Sequence, residues 1–338
     1  MRSVLVTGGL GYIGSHTVLK LLENNYNVII YDNLSNSKLE VYDKIKNSNL
    51  ELIIGDLLDS EKLEKIFRLN SIDFVIHFAA LKSVSESNKY PLSYYNNNVN
   101  GSINLFTIME KFGVRKIIFS SSATVYGDCV CPVNEDNPTG KNISSVYGKT
   151  KFMIEEVLKD LKNWSVVILR YFNPIGCHPS GIIGENPNNI PNNLFPYILK
   201  VASGELKELN IFGNDYPTVD GTCVRDYIHV EDLARAHVYA ILKLYNTGLF
   251  IYNVGTGEGY TVKQIVDTFE NANGIQIKHK FVNRRDGDLS ILYSDPSKIM
   301  KELCWKPEKT ISDMCIDGYN YVKNIYKEKG ESKEQKQP

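Results

Sequence analysis

Thr7-Gly8-Gly9-Leu10-Gly11-Tyr12-Ile13-Gly14 is the stretch on which the reading of this chain turns. It follows a short apolar run, Ser3–Thr7, and opens a segment, residues 12–24, whose apolar side chains recur at helical spacing. A glycine-rich turn between a strand and a helix lets backbone N–H groups approach a pyrophosphate at the positive end of the helix dipole. The spacing is G-x-x-G-x-x-G rather than G-x-G-x-x-G, and alone it specifies little. The next apolar run, residues 28–31, ends in Asp32, eighteen residues beyond Gly14. A carboxylate at that place accepts hydrogen bonds from the diol of an adenosine ribose and repels a 2′-phosphate. The expected cofactor is therefore NAD rather than NADP.

Outward from this turn, short apolar runs alternate with longer helical patterns, which marks βαβ units and a parallel sheet. Strands are expected at residues 3–7, 28–31, 51–54, 74–78, 116–120 and 166–171, nearly continuous in apolar residues as strands covered on both faces are. Helices are expected at 12–24, 60–69, 91–112 and 145–160. The fold class is α/β: a doubly wound parallel sheet (Rossmann) with a second, smaller α/β substrate-binding lobe. Residues 174–196, rich in Pro, Gly and Asn, read as ordered loop leading into that lobe. There, strands are expected near 209–212, 226–230, 250–254 and 277–281, and helices near 231–243 and 262–273. This places an NAD-binding domain at 1–172 and a second, substrate-binding lobe at 173–326, with a soft boundary because the chain can cross back to the first sheet. Residues 327–338, charged and polar, read as a frayed tail.

Bulk composition excludes more than it suggests. The 338 residues are 43% hydrophobic and 23% charged with a formal net charge of −1, so nothing in the charge favours nucleic acid or an anionic membrane. The initial apolar run stops at Gly8-Gly9, short of the roughly seven to fifteen residues of a signal-peptide core. No segment reaches the roughly eighteen apolar residues of a membrane span. The expected location is the cytoplasm, where N-x-S/T triplets at Asn33, Asn100, Asn142 and Asn163 are chance matches and the six cysteines are reduced. Cys129-Val130-Cys131 is the close pair, and no Cys or His follows it at metal-site spacing. No metal is expected.

Tyr147-Gly148-Lys149-Thr150-Lys151 puts a tyrosine and a lysine at i and i+4 on one helix face. A phenol is a poor base at neutral pH. An ammonium about 4 Å away, at an effective dielectric near 20, stabilises the phenolate by about 4 kcal/mol, or roughly three pKa units before burial opposes it. Upstream, Ser120-Ser121-Ser122-Ala123-Thr124-Val125-Tyr126-Gly127 falls at the C-terminal end of an expected strand, where open α/β sheets bind ligands. A serine hydroxyl there can share a proton path with the tyrosine while holding a substrate oxygen.

These motifs, in this order, resemble the extended short-chain dehydrogenase/reductase superfamily. Longer blocks narrow the likeness: His77-Phe78-Ala79-Ala80-Leu81-Lys82, Tyr94-Tyr95-Asn96-Asn97-Asn98-Val99-Asn100-Gly101, Leu169-Arg170-Tyr171-Phe172-Asn173-Pro174, Val224-Arg225-Asp226-Tyr227-Ile228-His229-Val230 and Arg284-Arg285-Asp286-Gly287-Asp288-Leu289. Together they resemble the UDP-glucose 4-epimerase family, from about residue 2 to residue 305. The resemblance implies that Tyr147 removes the proton of the sugar 4-OH, Lys151 holds the nicotinamide ribose and tunes Tyr147, and Ser122 binds the 4-oxygen. The C4 hydride passes to NAD, the 4-keto sugar turns over, and the hydride returns to the opposite face.

By the same resemblance, Gly8, Gly11, Tyr12, Ile13, Gly14, Asp32, Asn33, Asn36, Ser37, Asp56, Leu57, Phe78, Ala79, Ala80, Lys82, Asn97 and Phe172 match cofactor contacts. Asn173, Asn193, Leu194, Phe212, Arg225, Arg285 and Asp288 match UDP-sugar contacts, with Lys82, Ser122 and Tyr147 shared between the two sets. Leu292 matches a gatekeeper of the sugar pocket, where a large tyrosine is associated with exclusion of N-acetylated sugars. The implied substrates are UDP-glucose and UDP-galactose, with UDP-GlcNAc and UDP-GalNAc added by Leu292. Two long helices, residues 90–112 and 145–161, are the implied homodimer surface. The rival readings are a dehydratase or decarboxylase of sugar nucleotides and a non-catalytic dinucleotide sensor. Related 4,6-dehydratases carry an Asp-Glu pair where this chain has Ala123-Thr124, so the acid and base for elimination are missing.

Overall fold

In the computed structural model the described residues are 1–187, 191, 193–285 and 287–334, with backbone alone for 327–334. The strands are, in chain order, β1 (Ser3–Thr7), β2 (Asn27–Asp32), β3 (Leu50–Ile54), β4 (Phe74–His77), β5 (Lys116–Ser122), β6 (Ser165–Tyr171), β7 (Asn173–Ile175), β8 (Leu209–Phe212), β9 (Val224–Arg225), β10 (Tyr227–His229), β11 (Gly248–Val254), β12 (Tyr260–Thr261), β13 (His279–Val282) and β14 (Ile291–Leu292). One sheet runs β11-β6-β5-β4-β1-β2-β3, parallel throughout. The order reverses between β4 and β1. A crevice opens at such a switch point, outside the carboxyl ends of the strands.

Alternation along the strands builds a core on each face of this sheet. Val4 and Val6 of β1, with Val167 and Leu169 of β6, face a layer that includes Val18, Leu21, Leu233 and Ala236. Leu5, Val166 and Ile168 face the other layer, with Leu63, Leu105, Met109, Ile154 and Leu158. Successive side chains point to opposite faces of a strand, so a strand buried on both sides must be apolar at nearly every position.

Strand β11, read from the sequence with the second lobe, pairs parallel with β6 and closes one edge of the main sheet. Tyr252 and Val254 are fully buried there. The helix before it, Val230–Ala240, shares its core with the first helix, Tyr12–Glu23. The chain therefore crosses back after residue 173. The remaining lobe holds β8 beside β13, and β12-β9-β14, over a core of Phe195, Ile198, Phe269 and Met314.

Other elements depart from the sequence reading: the helices Leu39–Ile45, Val84–Lys89 and Ser297–Leu303 were not expected, and the stretch 174–196, read as loop, holds the end of β7 and the start of the helix Leu194–Ala202. The expected 91–112 helix is helical but contains a π-helical turn, Tyr95–Asn100, between Pro91–Tyr94 and Gly101–Lys111. Such turns carry one extra residue and cluster at functional sites. The last helix, Ile311–Glu334, was not expected and continues through 327–334, where the sequence reads a frayed tail. Glu and Lys are good helix formers, and extending an existing helix costs little compared with starting one. Residues 335–338 lie outside the described residues.

Candidate active site

The glycine turn is built as a cradle. Gly8 sits at a φ of 69°, and a Cβ on it would meet the Ala79 backbone nitrogen at 2.7 Å, so the loops after β1 and β4 touch across the switch point. A Cβ on Gly14 would strike the Gly8 carbonyl and approach the Gly9 Cα to 2.9 Å. Gly11 caps the following helix without any side-chain hydrogen bond. The first-turn N–H groups around Tyr12 and Ile13 thus face the turn with no capping side chain between them and a bound anion. This geometry suits a dinucleotide pyrophosphate.

Asp32, at the end of β2, is buried. Its carboxylate accepts from the Leu10 N–H at 3.0 Å, the Leu34 N–H at 2.9 Å and the Ser37 hydroxyl at 2.7 Å. A carboxylate has about four acceptor positions, so capacity remains for a ribose hydroxyl. Asn33 donates to Asp56 at 2.7 Å, which joins the ends of β2 and β3, while Leu57 is buried and Asn36 is exposed. On the β4 side, Ala79 donates its N–H to the Thr7 carbonyl at 3.1 Å, with Phe78 and Ala80 on either side. Lys82 is ion-paired with Glu185 at 2.7 Å, and Asn97 lies in the π-helical turn.

The expected catalytic groups gather at the end of β5. Ser145 caps the helix Val146–Asp160 through the Gly148 N–H and so fixes where Tyr147 starts. Burial pushes the Tyr147 phenol up to about 12, against a hydrogen bond from Ser122 that favours its ionised form. Ser122 accepts from the Thr124 N–H at 3.2 Å and its hydroxyl at 3.0 Å.

Lys151 departs from expectation. Its ammonium lies 5.9 Å from the centre of the Tyr147 ring and donates instead to the Ser120 carbonyl at 2.5 Å. Burial draws its pKa down to about 7, with Glu155 opposing the fall. In the protein groups alone the opposition to burial at the Tyr147 phenol comes from Ser122.

On the other side of the crevice, Phe172 and Leu292 pack with Ala123, Val125 and Tyr126, next to Ser122. Asn173 donates to the Asp226 carbonyl at 2.9 Å. Asn193 and Leu194 begin the helix Leu194–Ala202. Leu292 is the register partner of Arg225 across β14 and β9. Arg225 donates to its neighbour's carbonyl, Val224, at 2.8 Å. Arg285 pairs with Asp288 at 2.9 Å and lies over the Phe212 ring at 4.8 Å. Tyr227, whose hydroxyl is pushed up by burial, feels both Arg225 and Arg285 in the opposite direction.

Comparison with known proteins meets this geometry. The NAD dependent epimerase/dehydratase family matches residues 4–255. The UDP-glucose 4-epimerase of Bacillus subtilis (strain 168) is 50% identical over 328 residues, covering 94% of this chain and 96% of its own. The chain belongs to the NAD dependent epimerase/dehydratase family. Among solved structures, UDP-glucose 4-epimerase from Bifidobacterium longum, in complex with NAD+ and UDP, superposes with a TM-score of 0.92 at 46% identity, over 96% of this chain and 98% of that one. The Stenotrophomonas maltophila UDP-glucose-4-epimerase, with bound NAD and formylated UDP-arabinopyranose, gives 0.93 at 42%, over 97% and 100%.

In this epimerase/dehydratase family member a buried polar network beneath the site escapes sequence reasoning. Ser121 donates to Glu155 at 2.5 Å, and Glu155 takes a two-pronged contact from Arg170 at 3.0 and 2.6 Å. Arg170 also donates to the Tyr126 hydroxyl at 2.9 Å, which donates to Asn253 of β11 at 2.7 Å. Glu155 and Arg170 are almost wholly buried. Removing one partner of such a pair costs about 3–5 kcal/mol because the other charge is left buried alone. Glu155 stands one helical turn after Lys151, and Ser121 between Ser120 and Ser122. The only sequence signal was charge inside apolar runs, Arg170 in β6 above all.

Proposed function

We propose that this chain interconverts UDP-glucose and UDP-galactose by inverting the sugar C4 carbon, with NAD as its resident cofactor. The observation that carries the reading is the assembly of Tyr147, Ser122 and Lys151 at the strand ends beside a glycine cradle and the buried Asp32 carboxylate. The family relationship supports it. NAD held there would supply the hydride acceptor and donor for C4 and a positive charge that favours a nearby phenolate.

The remaining work falls to the chain's own residues. The loop Gly8–Gly14 receives the pyrophosphate and Asp32 the adenosine ribose, with Asn33, Ser37, Asp56 and Leu57 around the adenine end. Lys151 is anchored by the Ser120 carbonyl where it can reach the nicotinamide ribose, and Phe78, Ala79, Ala80, Lys82, Asn97 and Phe172 wall the crevice. Tyr147 takes the proton from the 4-OH as the hydride leaves. Ser122, hydrogen-bonded to Tyr147, holds the 4-oxygen, and Tyr147 returns the same proton when the 4-keto sugar is reduced on its other face. Arg225 and Arg285 suit the UDP pyrophosphate, since guanidinium groups bind such oxygens in pairs, with Asn173, Asn193, Leu194, Phe212 and Asp288 around the nucleotide. A dehydratase reading is disfavoured because Ala123 is apolar and Thr124 is hydrogen-bonded to Ser122.

Three finer assignments belong to the same proposal. Leu292, partly buried and short of a phenol's reach, leaves room at C2 for an acetamido group, so UDP-GlcNAc and UDP-GalNAc are also substrates. The chain works as a cytoplasmic homodimer. The helices Gly101–Lys111 and Val146–Asp160 expose Ile103 and Met153, and Leu92 is 82% exposed beside them, an apolar face suited to a second copy. Residues 1–172 with β11 hold the cofactor, and most of 173–326 holds the nucleotide sugar.

The test is to denature purified protein and identify the released cofactor by absorbance and mass, then to assay native protein with UDP-galactose and UDP-glucose. NAD together with interconversion of the two sugars is expected. NADP, or consumption of substrate without the 4-epimer, overturns the reading.

A further inference from the structure

Cys129 and Cys131 are free thiols, each half-buried, in the segment that follows Ser122. Their side chains pack with Phe172 and Leu292 against the core formed by Ala123, Val125 and Tyr126. Cys129 and Cys131 stand two residues apart, and the side-chain hydrogen bond between them drives their pKa values in opposite directions. Cys131 Sγ also meets the strand that carries Leu292 on both sides of that residue. It accepts from the Tyr293 N–H at 3.4 Å and, as a thiol, donates to the Ile291 carbonyl at 3.5 Å.

These contacts make one sulfur of the pair the reactive one. The hydrogen bond from Cys129, the Tyr293 N–H and the charge of Arg225 draw Cys131 down to about 7 against burial, while Cys129 is pushed up. A thiolate, not a thiol, is the nucleophile toward oxidants.

We propose that Cys129 and Cys131 are a modification site: hydrogen peroxide converts them to a disulfide, and the change loosens the Ile291–Leu292 edge of the sugar pocket. The Cys131 thiolate attacks one peroxide oxygen, the O–O bond breaks, and the departing hydroxide takes a proton to become water. The Cys129 sulfur then attacks the sulfenic sulfur of Cys131, the S–O bond breaks, and the second hydroxide leaves with the Cys129 proton. Two thiols lose two electrons and two protons, and the peroxide is reduced to two waters. A disulfide sulfur has no S–H to give the Ile291 carbonyl. One of the two anchors of β14 beside Leu292 is lost, and Leu292 is the register partner of Arg225. The effect therefore falls on substrate affinity and leaves the cofactor cradle alone.

The effect on turnover rests on the substrate assignment of Leu292 and Arg225; formation of the disulfide does not. Purified enzyme with its bound cofactor is treated with hydrogen peroxide, alkylated, digested and mapped by mass spectrometry. In parallel the KM for UDP-galactose is measured before and after, and again after dithiothreitol. The peptide holding residues 129 and 131 is expected to lose two hydrogens and resist alkylation. KM is expected to rise several-fold at unchanged NAD content and to return with dithiothreitol. The double variant Cys129→Ser/Cys131→Ser is expected to show wild-type KM before and after peroxide. Both thiols still alkylatable while the exposed Cys304 is oxidised overturns the site. A mapped disulfide with unchanged KM, or an equal KM rise in the double variant, overturns the coupling to the sugar pocket.

Discussion

At the residue scale the account rests on Tyr147, whose phenol is pushed up to about 12 by burial while Ser122 supplies a hydrogen bond toward its ionised form. Tyr147→Phe removes the proton acceptor and keeps the ring. Activity is expected to fall by roughly 10²–10⁴-fold, the usual contribution of a general acid–base group. Circular dichroism and cofactor content are expected to stay unchanged; a fully active Tyr147→Phe enzyme sinks the assigned role. Leu292 carries the second prediction. Leu292→Tyr adds volume beside Phe172, and overpacking costs about 1–3 kcal/mol. Selective loss of UDP-GlcNAc turnover, with UDP-galactose turnover kept, is expected in a side-by-side assay. Wild-type protein inert toward UDP-GlcNAc ends the N-acetyl proposal and leaves C4 epimerisation of UDP-glucose standing. Residue types at this scale were readable from the chain, but their partners were not. The i, i+4 spacing puts Lys151 on the face of Tyr147, yet Ser120 sits thirty-one residues earlier and takes the ammonium. Only the fold brings them together.

At the scale of elements, the glycine turn makes the sharpest prediction. A Cβ at Gly14 would meet backbone atoms of Gly8 and Gly9, and backbone cannot step aside as a flexible side chain can. Gly14→Ala is expected to lower stability and strip the bound NAD, read as the absorbance of cofactor released from equal amounts of protein. Full cofactor content in that variant contradicts the cradle. The strands β1 to β6 and the helices Tyr12–Glu23, Ser60–Leu69 and Val146–Asp160 were legible because burial on both faces demands long apolar runs and helices show a period near 3.6. β9, β12 and β14, two residues each, are too short to show any period. β11 was legible as a strand but not by its place, since parallel pairing with β6 is a fact of topology. The chain from Ser121 to Asn253 through Glu155, Arg170 and Tyr126 was hidden for the same reason. Its members are far apart in sequence and meet only after the sheet is assembled.

For the whole molecule, buried histidines set the response to acid. Burial lowers His16 and His77 to about 3 and His237 to about 4, from an ordinary 6.5. Each stays neutral in the folded chain and takes a proton on unfolding at acid pH. The folded pKa is depressed, so stability is full above about 6.5 and drains as pH falls toward the folded values. At pH 5 the loss is about 2 kcal/mol per histidine, a large share of the roughly 5–15 kcal/mol of a typical domain. Urea unfolding at pH 8 and pH 5 is expected to show a midpoint that falls steeply with acid; an equal midpoint at both removes the histidines from the account.

The central claim, that one carbon of the sugar is oxidised and reduced again inside a single crevice by a cofactor that never leaves, has a direct test. Purified protein, with no dinucleotide added, is given UDP-galactose carrying deuterium at C4, and the product is read by mass spectrometry. The account predicts UDP-glucose that keeps the deuterium at C4. UDP-glucose that has lost its label to water, or no UDP-glucose at all, contradicts it.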